Sequence, residues 1–223
     1  INKSTVYRIV STLNTEGLLI KNKDNQKYKL GFKILNLASK MVGQYNYKDI
    51  ALEEMKNLRN EINETVILSI YTKQGGVCLE KVEADNTIKI SSQVGHITPL
   101  HGGATGKILL AYAPRESIEQ IFGGDLKKYT ENTVTDETIL REQLVEIREK
   151  GYVISHSELD EGAIGIGAPI LDENGDLIYG LSVAGPVNRM KSFGIDNLVE
   201  EVVARADKIS EKINMIKSMN RNH

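Results

Sequence analysis

The stretch "LHGGATGKILL", residues 100–110, is glycine-rich and sets Gly-Lys just before an apolar, helix-like run. Whether it is a nucleotide loop separates two very different architectures. A phosphate-binding loop needs G-x-x-x-x-G-K-[ST], so that backbone N–H groups wrap phosphates and a hydroxyl holds magnesium. Here the residue five before Gly106 is His101, and the residue after Lys107 is Ile108. Both ends of the motif fail, so the loop has to be understood from the chain around it.

The 223 residues suffice for one large or two modest domains. Trp is absent and aromatics make up only 5%, so any core must be mostly aliphatic. Cys78 is the only cysteine, which excludes an intrachain disulfide and any secreted disulfide scaffold. No apolar run is long enough to span a bilayer and there is no signal peptide, so the expected location is the cytoplasm, with no membrane partner. Ile1 is not an initiator residue, and the chain begins in mid-motif.

Charge is uneven along the chain. Residues 1–33 carry 7 basic and 2 acidic side chains, a balance of +5, whereas the whole chain is at −2. A basic end on an acidic body suits a polyanion partner for that end; a solvated lysine-rich hairpin is the plainer alternative. The pattern within the segment favours the first. "NKSTVYRIVSTLNTEG" places Val6, Ile9, Val10 and Leu13 on one helical face, with Asn2 or Ser4 as cap and Gly17 as terminator. The opposite face shows Thr5, Tyr7, Arg8, Ser11 and Thr12, short donors and acceptors with one arginine, as phosphates and base edges require. Leu18 to Ile20 and Tyr28 to Leu30 read as two short strands around a polar turn. A helix followed by a lysine-tipped hairpin is the second half of a winged helix-turn-helix. Its candidate contacts to double-stranded operator DNA are Lys3, Ser4, Thr5, Tyr7, Arg8 and Thr12 on the helix, with Lys23 and Lys27 on the wing. The two bracing helices of such a domain are not in this chain, so the natural protein is expected to begin roughly a few tens of residues upstream.

Residues 31–44 place Phe32, Leu35, Leu37, Ala38, Met41 and Val42 on a broad helical stripe, followed by the break "YNYKD". Such a connecting helix either pairs with its copy in a dimer or packs on its own domain. Helical spacing resumes over 48–63 with Ala51, Met55, Leu58 and Ile62. Strands are predicted near 65–72, 76–84, 87–93, 152–155, 164–171 and 177–184, the last two joined by Asp172-Glu-Asn-Gly-Asp176. Helices are predicted over 100–113, from Pro114 through "RESIEQIF", over 136–150 with Ile139, Leu140, Leu144 and Ile147 inside, and from Ile195 to about Met219. Strands and helices do not alternate as βαβ units, so the class is α+β, with a mostly antiparallel sheet flanked by helices.

The stretches "KSTVYRIVSTLNTEGLL…YKLG", "PLHGGATGKILLAYAP" and "REKGYVISHSELDEGAIGIGAPILDENGDLIYGLSVAGP" resemble, in order and over the whole chain, the signatures of the IclR family of bacterial transcriptional regulators. Each is weak alone; together they are specific. The resemblance implies a winged-helix DNA-binding domain (its C-terminal part at 1–30), a linker helix (31–46) and a GAF-like effector domain (47–223). It also implies homodimers or homotetramers and regulation, such as repression, by a small organic effector, a carboxylate or aromatic acid. No cofactor or metal is implied. The loop holding "HGGATGK" would wall the effector pocket, and the helix after it would aim its N-terminus at the ligand, where free N–H groups favour anions. By motif position the pocket contacts fall on Ala104, Thr105, Ser155, Gly165, Ser182 and Ala184, with Ile90, Thr98 and Ala163 as apolar lining. Ser155 stands where some relatives carry aspartate and Ala184 where some carry serine, which reads as a roomier, less polar pocket than a very small acid needs.

Two rivals stand beside this reading. An enzyme would draw on His96, His101, His156 and Cys78, but no C-x-x-C, H-E-x-x-H or G-x-S-x-G occurs, and the histidines read as structural hydrogen bonders. Glu158, Asp160 and Glu161 cluster on a loop and read as solvated. A stand-alone sensor is the other rival, and the recognition-like basic helix argues against it.

Overall fold

The computed structural model describes residues 1–43, 47–90 and 92–221, and the chain divides into two compact units, residues 1–46 and 47–223. In the first, helix α1 (Lys3–Thr15) begins at Asn2, whose side chain accepts from the Ser4 N–H. Gly17 ends it with a φ of 73°, a left-handed value that glycine adopts without steric cost. Strands β1 (Leu19–Lys21) and β2 (Tyr28–Leu30) then pair antiparallel, the first one residue later than the spacing predicts. Asn22 closes the turn: its N–H donates to the Lys27 carbonyl and its side chain accepts from the Asp24 N–H. The Asn14 side chain accepts from the Lys21 N–H at 3.1 Å, which ties helix to hairpin. A Cβ on Gly31 would lie 2.0 Å from the Gly17 carbonyl oxygen, so only glycine permits the chain to close there. Helix α2 (Phe32–Gly43) comes next. The apolar stripe of α1 forms as spaced, but Val6 and Ile9 are exposed and no residue of α1 is fully buried. Phe32, Leu35 and Leu37 are exposed on α2. Residues 44–46, the end of the predicted linker, lie outside the described residues.

The second unit opens with α3 (Lys48–Ile62), in which Ala51, Met55, Leu58 and Ile62 are all buried, as their spacing requires. Its strands are β3 (Thr65–Thr72), β4 (Gly75–Val82), β5 (Ile97–Thr98), β6 (Val153–His156), β7 (Ala163–Leu171) and β8 (Leu177–Pro186). They form one wholly antiparallel sheet in the order β5-β4-β3-β8-β7-β6. One face is covered by α3 and α8 (Ile195–Arg221), the latter burying Leu198, Val202, Ala206, Ile209 and Ile213 along one stripe. On the other face lies α4 (Gly103–Ala111), backed by α6 (Glu137–Lys150). The short helices α5 (Arg115–Phe122) and α7 (Val187–Phe193) complete the unit. Period-two alternation lets β7 serve both faces: Ile164, Ile166, Ala168 and Ile170 are buried apolar residues, while Gly165 and Gly167 lie beneath α4.

Three expectations need correction. No strand forms among the described residues of 87–93. The chain there is held by local bonds, Asp85 N–H to the Asn63 side chain, the Asn86 amide to the Asn63 carbonyl and Lys89 to the Ala84 carbonyl, while Ile97 and Thr98 take the edge position on β4. The helix expected from Leu100 starts at Gly103, because Gly102 is extended. Ile139 is exposed: Leu140, Leu144 and Ile147 make the buried stripe, and a neighbour one residue away points about 100° aside. Helix α7 has no clear periodic signal, being a single short segment after Pro186.

Candidate ligand-binding site

Helix α4 lies close on the sheet because the residues beneath it lack side chains. A Cβ on Gly165 would lie 3.0 Å from Ala104 Cβ, one on Gly167 3.1 Å from the Ala104 carbonyl, and one on Gly180 3.0 Å from Ile108 and Leu109. Gly106 lets the helix meet the Pro99 carbonyl, 2.1 Å from where a Cβ would stand. These glycines are a packing requirement, which Gly106 brings into the "GGATG" run.

At the N-terminal end of α4 the close packing gives way to a cavity of about 270 Å³. Its walls come from the first turn of α4, from β8, from the β6–β7 hairpin, and from Ile90, Ser92, His96, Thr98 and Pro99. All nine positions singled out by sequence, Ile90, Thr98, Ala104, Thr105, Ser155, Ala163, Gly165, Ser182 and Ala184, line it. The register explains how: Ser155 pairs with Gly165 and Gly165 with Ala184, so the three stand in one row across adjacent strands. Ser182 pairs with Gly167 on one side and Ile67 on the other. Thr105 Oγ1 and Ser182 Oγ share a hydrogen bond of 2.7 Å, so one of the two hydroxyl protons is already committed.

The wall also holds residues that sequence reasoning missed or misread. Ser92, His96, Tyr129, Ser157, Glu158 and Asp160 line the cavity, which is therefore more polar than the Ser155 and Ala184 substitutions suggest. Glu158 is not solvated. It is buried, accepts from Lys107 Nζ at 2.6 Å and from the Gly103 N–H at 3.0 Å, and Lys107 also donates to Gln143 at 2.8 Å. The lysine of the "GK" pair thus neutralises a buried carboxylate that caps the helix from outside. Neighbours fix Glu158 further: Thr133 Oγ1 donates to its carbonyl at 2.5 Å, and Leu159 packs over Gly102 and Gly103. Lys107–Glu158 was not detectable from spacing, since 51 residues separate the partners.

Of the residues of the enzyme alternative, Cys78 and His96 are neighbours through the backbone, the Cys78 N–H donating to the His96 carbonyl at 3.0 Å, while the other two histidines have separate settings. His101 bonds the Lys127 carbonyl at 2.8 Å, and His156 is exposed on β6. Burial pushes the Cys78 thiol pKa up, against the opposing hydrogen bond of Ser92, so the thiolate form is disfavoured. Among the described residues no cluster of His, Cys, Asp or Glu is placed to hold a metal, and no helix is long and apolar enough to cross a membrane.

The basic unit presents a second surface. Lys3, Ser4, Thr5, Tyr7, Arg8 and Thr12 are all exposed on α1, and Lys23 and Lys27 are exposed in the β1–β2 turn. Thr12 Oγ1 donates to the Arg8 carbonyl at 3.0 Å, so its hydroxyl faces an outside group only as an acceptor.

Comparison with known proteins agrees with this architecture. The family "Bacterial transcriptional regulator IclR C-terminal" matches residues 39–211. The chain is 30% identical to the HTH-type transcriptional regulator KdgR of Escherichia coli over 95% of its length and 81% of that protein. It is 31% identical to the HTH-type transcriptional regulator KipR of Bacillus subtilis over 95% of its length and 84% of that protein. A crystal structure of an IclR homologue from Microbacterium hydrocarbonoxydans complexed with 4-hydroxybenzoate superposes with a TM-score of 0.79 at 26% identity, over 95% of this chain and 85% of that one. Fold, cavity and relatives define a ligand-responsive, DNA-binding transcriptional regulator. The chain belongs to the IclR family of bacterial transcriptional regulators.

Proposed function

We propose that residues 1–30 are the DNA-reading part of a winged helix-turn-helix domain, residues 31–46 a linker helix, and residues 47–223 a GAF-like effector domain whose cavity takes a small organic acid. Lys3, Ser4, Thr5, Tyr7, Arg8 and Thr12 then face operator DNA, with Lys23 and Lys27 reaching the neighbouring backbone. The protein works as a cytoplasmic dimer or tetramer and as a repressor, and it carries out no catalysis. The observation that supports the effector reading is the convergence of nine positions, spread from Ile90 to Ala184, on one cavity. The backbone N–H groups of the first turn of α4 lack intrahelical acceptors and favour an anion. Glu158 already takes the one on Gly103, which leaves Ala104 and Thr105 for a ligand carboxylate, beside the Thr105–Ser182 hydroxyls.

Regulation results if the acid binds one arrangement of the oligomer better than another, since a ligand shifts an equilibrium only by its differential affinity. The linker helices then change the spacing of the two recognition helices against the operator half-sites. Calorimetry with 4-hydroxybenzoate and a panel of aliphatic acids, with gel-shift measurements on the full-length protein, tests this. Saturable binding that Ser182→Ala and Thr105→Val both weaken, and that alters operator affinity, is the expected result. Binding indifferent to both substitutions places the effector elsewhere.

A further inference from the structure

Glu158 is an unusual wall residue for a cavity read as taking an acid. It is a carboxylate at the same helix terminus that is to receive the ligand's carboxylate, and it is 7% exposed. Lys107, 1% exposed, supplies the charge that allows it to be there. A carboxylate has about four lone-pair sites, and it never donates when ionised. Two of these sites are engaged, one oxygen by Lys107 Nζ and the other by the Gly103 N–H. Each oxygen keeps one further accepting site, and Glu158 lines the cavity. Movement of Glu158 out of the wall is opposed from both sides of its backbone, by Thr133 at its carbonyl and by Leu159 against Gly102 and Gly103.

We propose that Glu158, with Lys107 as its counter-ion, makes the cavity selective for hydroxy acids, accepting a hydrogen bond from a ligand hydroxyl while the ligand carboxylate binds the Ala104 and Thr105 N–H groups. This rests on the small-acid reading of the cavity. With a ligand filling the cavity, a plain acid leaves those lone pairs unmet beside a like charge. A hydroxyl satisfies them. Sites built around a buried polar group reject analogues that lack the matching hydroxyl far more strongly than apolar pockets reject a missing methylene.

The test uses matched acids and calorimetry on the full chain: lactate against propionate, with the hydroxyl beside the carboxylate, and 4-hydroxybenzoate against benzoate, with the hydroxyl remote from it. In the wild type the hydroxylated member of at least one pair binds about tenfold tighter or more, as a charge-assisted hydrogen bond implies. The double variant Lys107→Met, Glu158→Met replaces the buried pair with side chains of similar length and leaves no unpaired charge. There the discrimination falls below about threefold while the acids still bind. Should that variant not fold, Glu158→Gln decides, with the ratio expected to fall by about threefold or more. Equal binding within both pairs in the wild type, or discrimination unchanged in the variant, overturns the proposal while the small-acid reading stands. If no acid binds at all, both fall together.

Discussion

The Cβ that Gly165 lacks would lie 3.0 Å from the Cβ of Ala104, so a residue of the cavity wall is also the residue on which α4 rests. Gly165→Leu is therefore expected to press the first turn of α4 away from the sheet as well as to fill the cavity. Thermal or urea unfolding should show a loss of about 1–3 kcal/mol together with loss of ligand binding. An unchanged stability would mean that α4 relaxes at no cost.

Lys107 and Glu158 are nearly inaccessible to solvent, and removal of one partner strands the other. Lys107→Met should cost about 3–5 kcal/mol, whereas the double change to Met at both positions should recover most of that loss. Urea midpoints of the single and double variants measure the coupling directly. Additive losses would show that the pair does not act as a unit.

The hydroxyl pair Thr105–Ser182 joins α4 to β8 across the cavity floor. Ser182→Ala should cost only about 1 kcal/mol of stability, the net worth of one neutral hydrogen bond. Ligand affinity should fall by more than the stability change explains. Melting curves and titrations on the same preparation separate the two effects.

Glu54, on α3, is fully buried and faces Arg205, Lys208 and Lys212 of α8 at 3.2, 2.9 and 2.7 Å. Burial alone would raise its pKa; hydrogen bonds from Lys212, Lys208 and Arg205 outweigh that and bring it from 4.5 to about 2. A folded-state value below the unfolded one stabilises fully above pH 4.5, and the stabilisation is lost as the pH falls from there towards 2. It amounts to about 3 kcal/mol. Unfolding free energies between about pH 2 and 6 should therefore fall steeply at the acid end for the wild type and less so for Glu54→Gln, which should also be weaker at neutral pH.

Arg8 is exposed on α1 among short polar side chains. In the full-length protein Arg8→Ala should lose about 1–3 kcal/mol per half-site of operator binding while the melting temperature is unchanged. Equal operator affinity for mutant and wild type would remove Arg8 from the interface.

Much of the fold is legible in the chain because its signals are local. The 3.6-residue stripes of α3 and α6 reappear as buried rows apart from Ile139, and Asp136 and Gly151 bound α6 as their residue types require. The Asp172–Asp176 turn closes β7 onto β8 through hydrogen bonds of the Asp172 side chain to the Asn174 and Asp176 N–H groups. The misread segments lack such signals. Residues 87–93 have strand-like composition, yet side-chain bonds from Asn63 and Asn86 hold the preceding chain in another path. Glu158 looks like one member of a solvated acidic cluster, because nothing within hydrogen-bonding range in sequence announces Lys107.

Residue type and spacing carried the helical and strand periods and the basic α1–hairpin surface, and the resemblance to a known family pointed to the domain organisation and to the nine positions that line the cavity. Each of these signals is carried within a short segment or matched along the whole chain. Folding alone made the glycines of α4 and β7 into packing surfaces, engaged Lys107 with Glu158, and set a resident carboxylate at the helix terminus of the cavity. Those properties arise between side chains tens of residues apart, where burial turns an ordinary charge into one that must be paired.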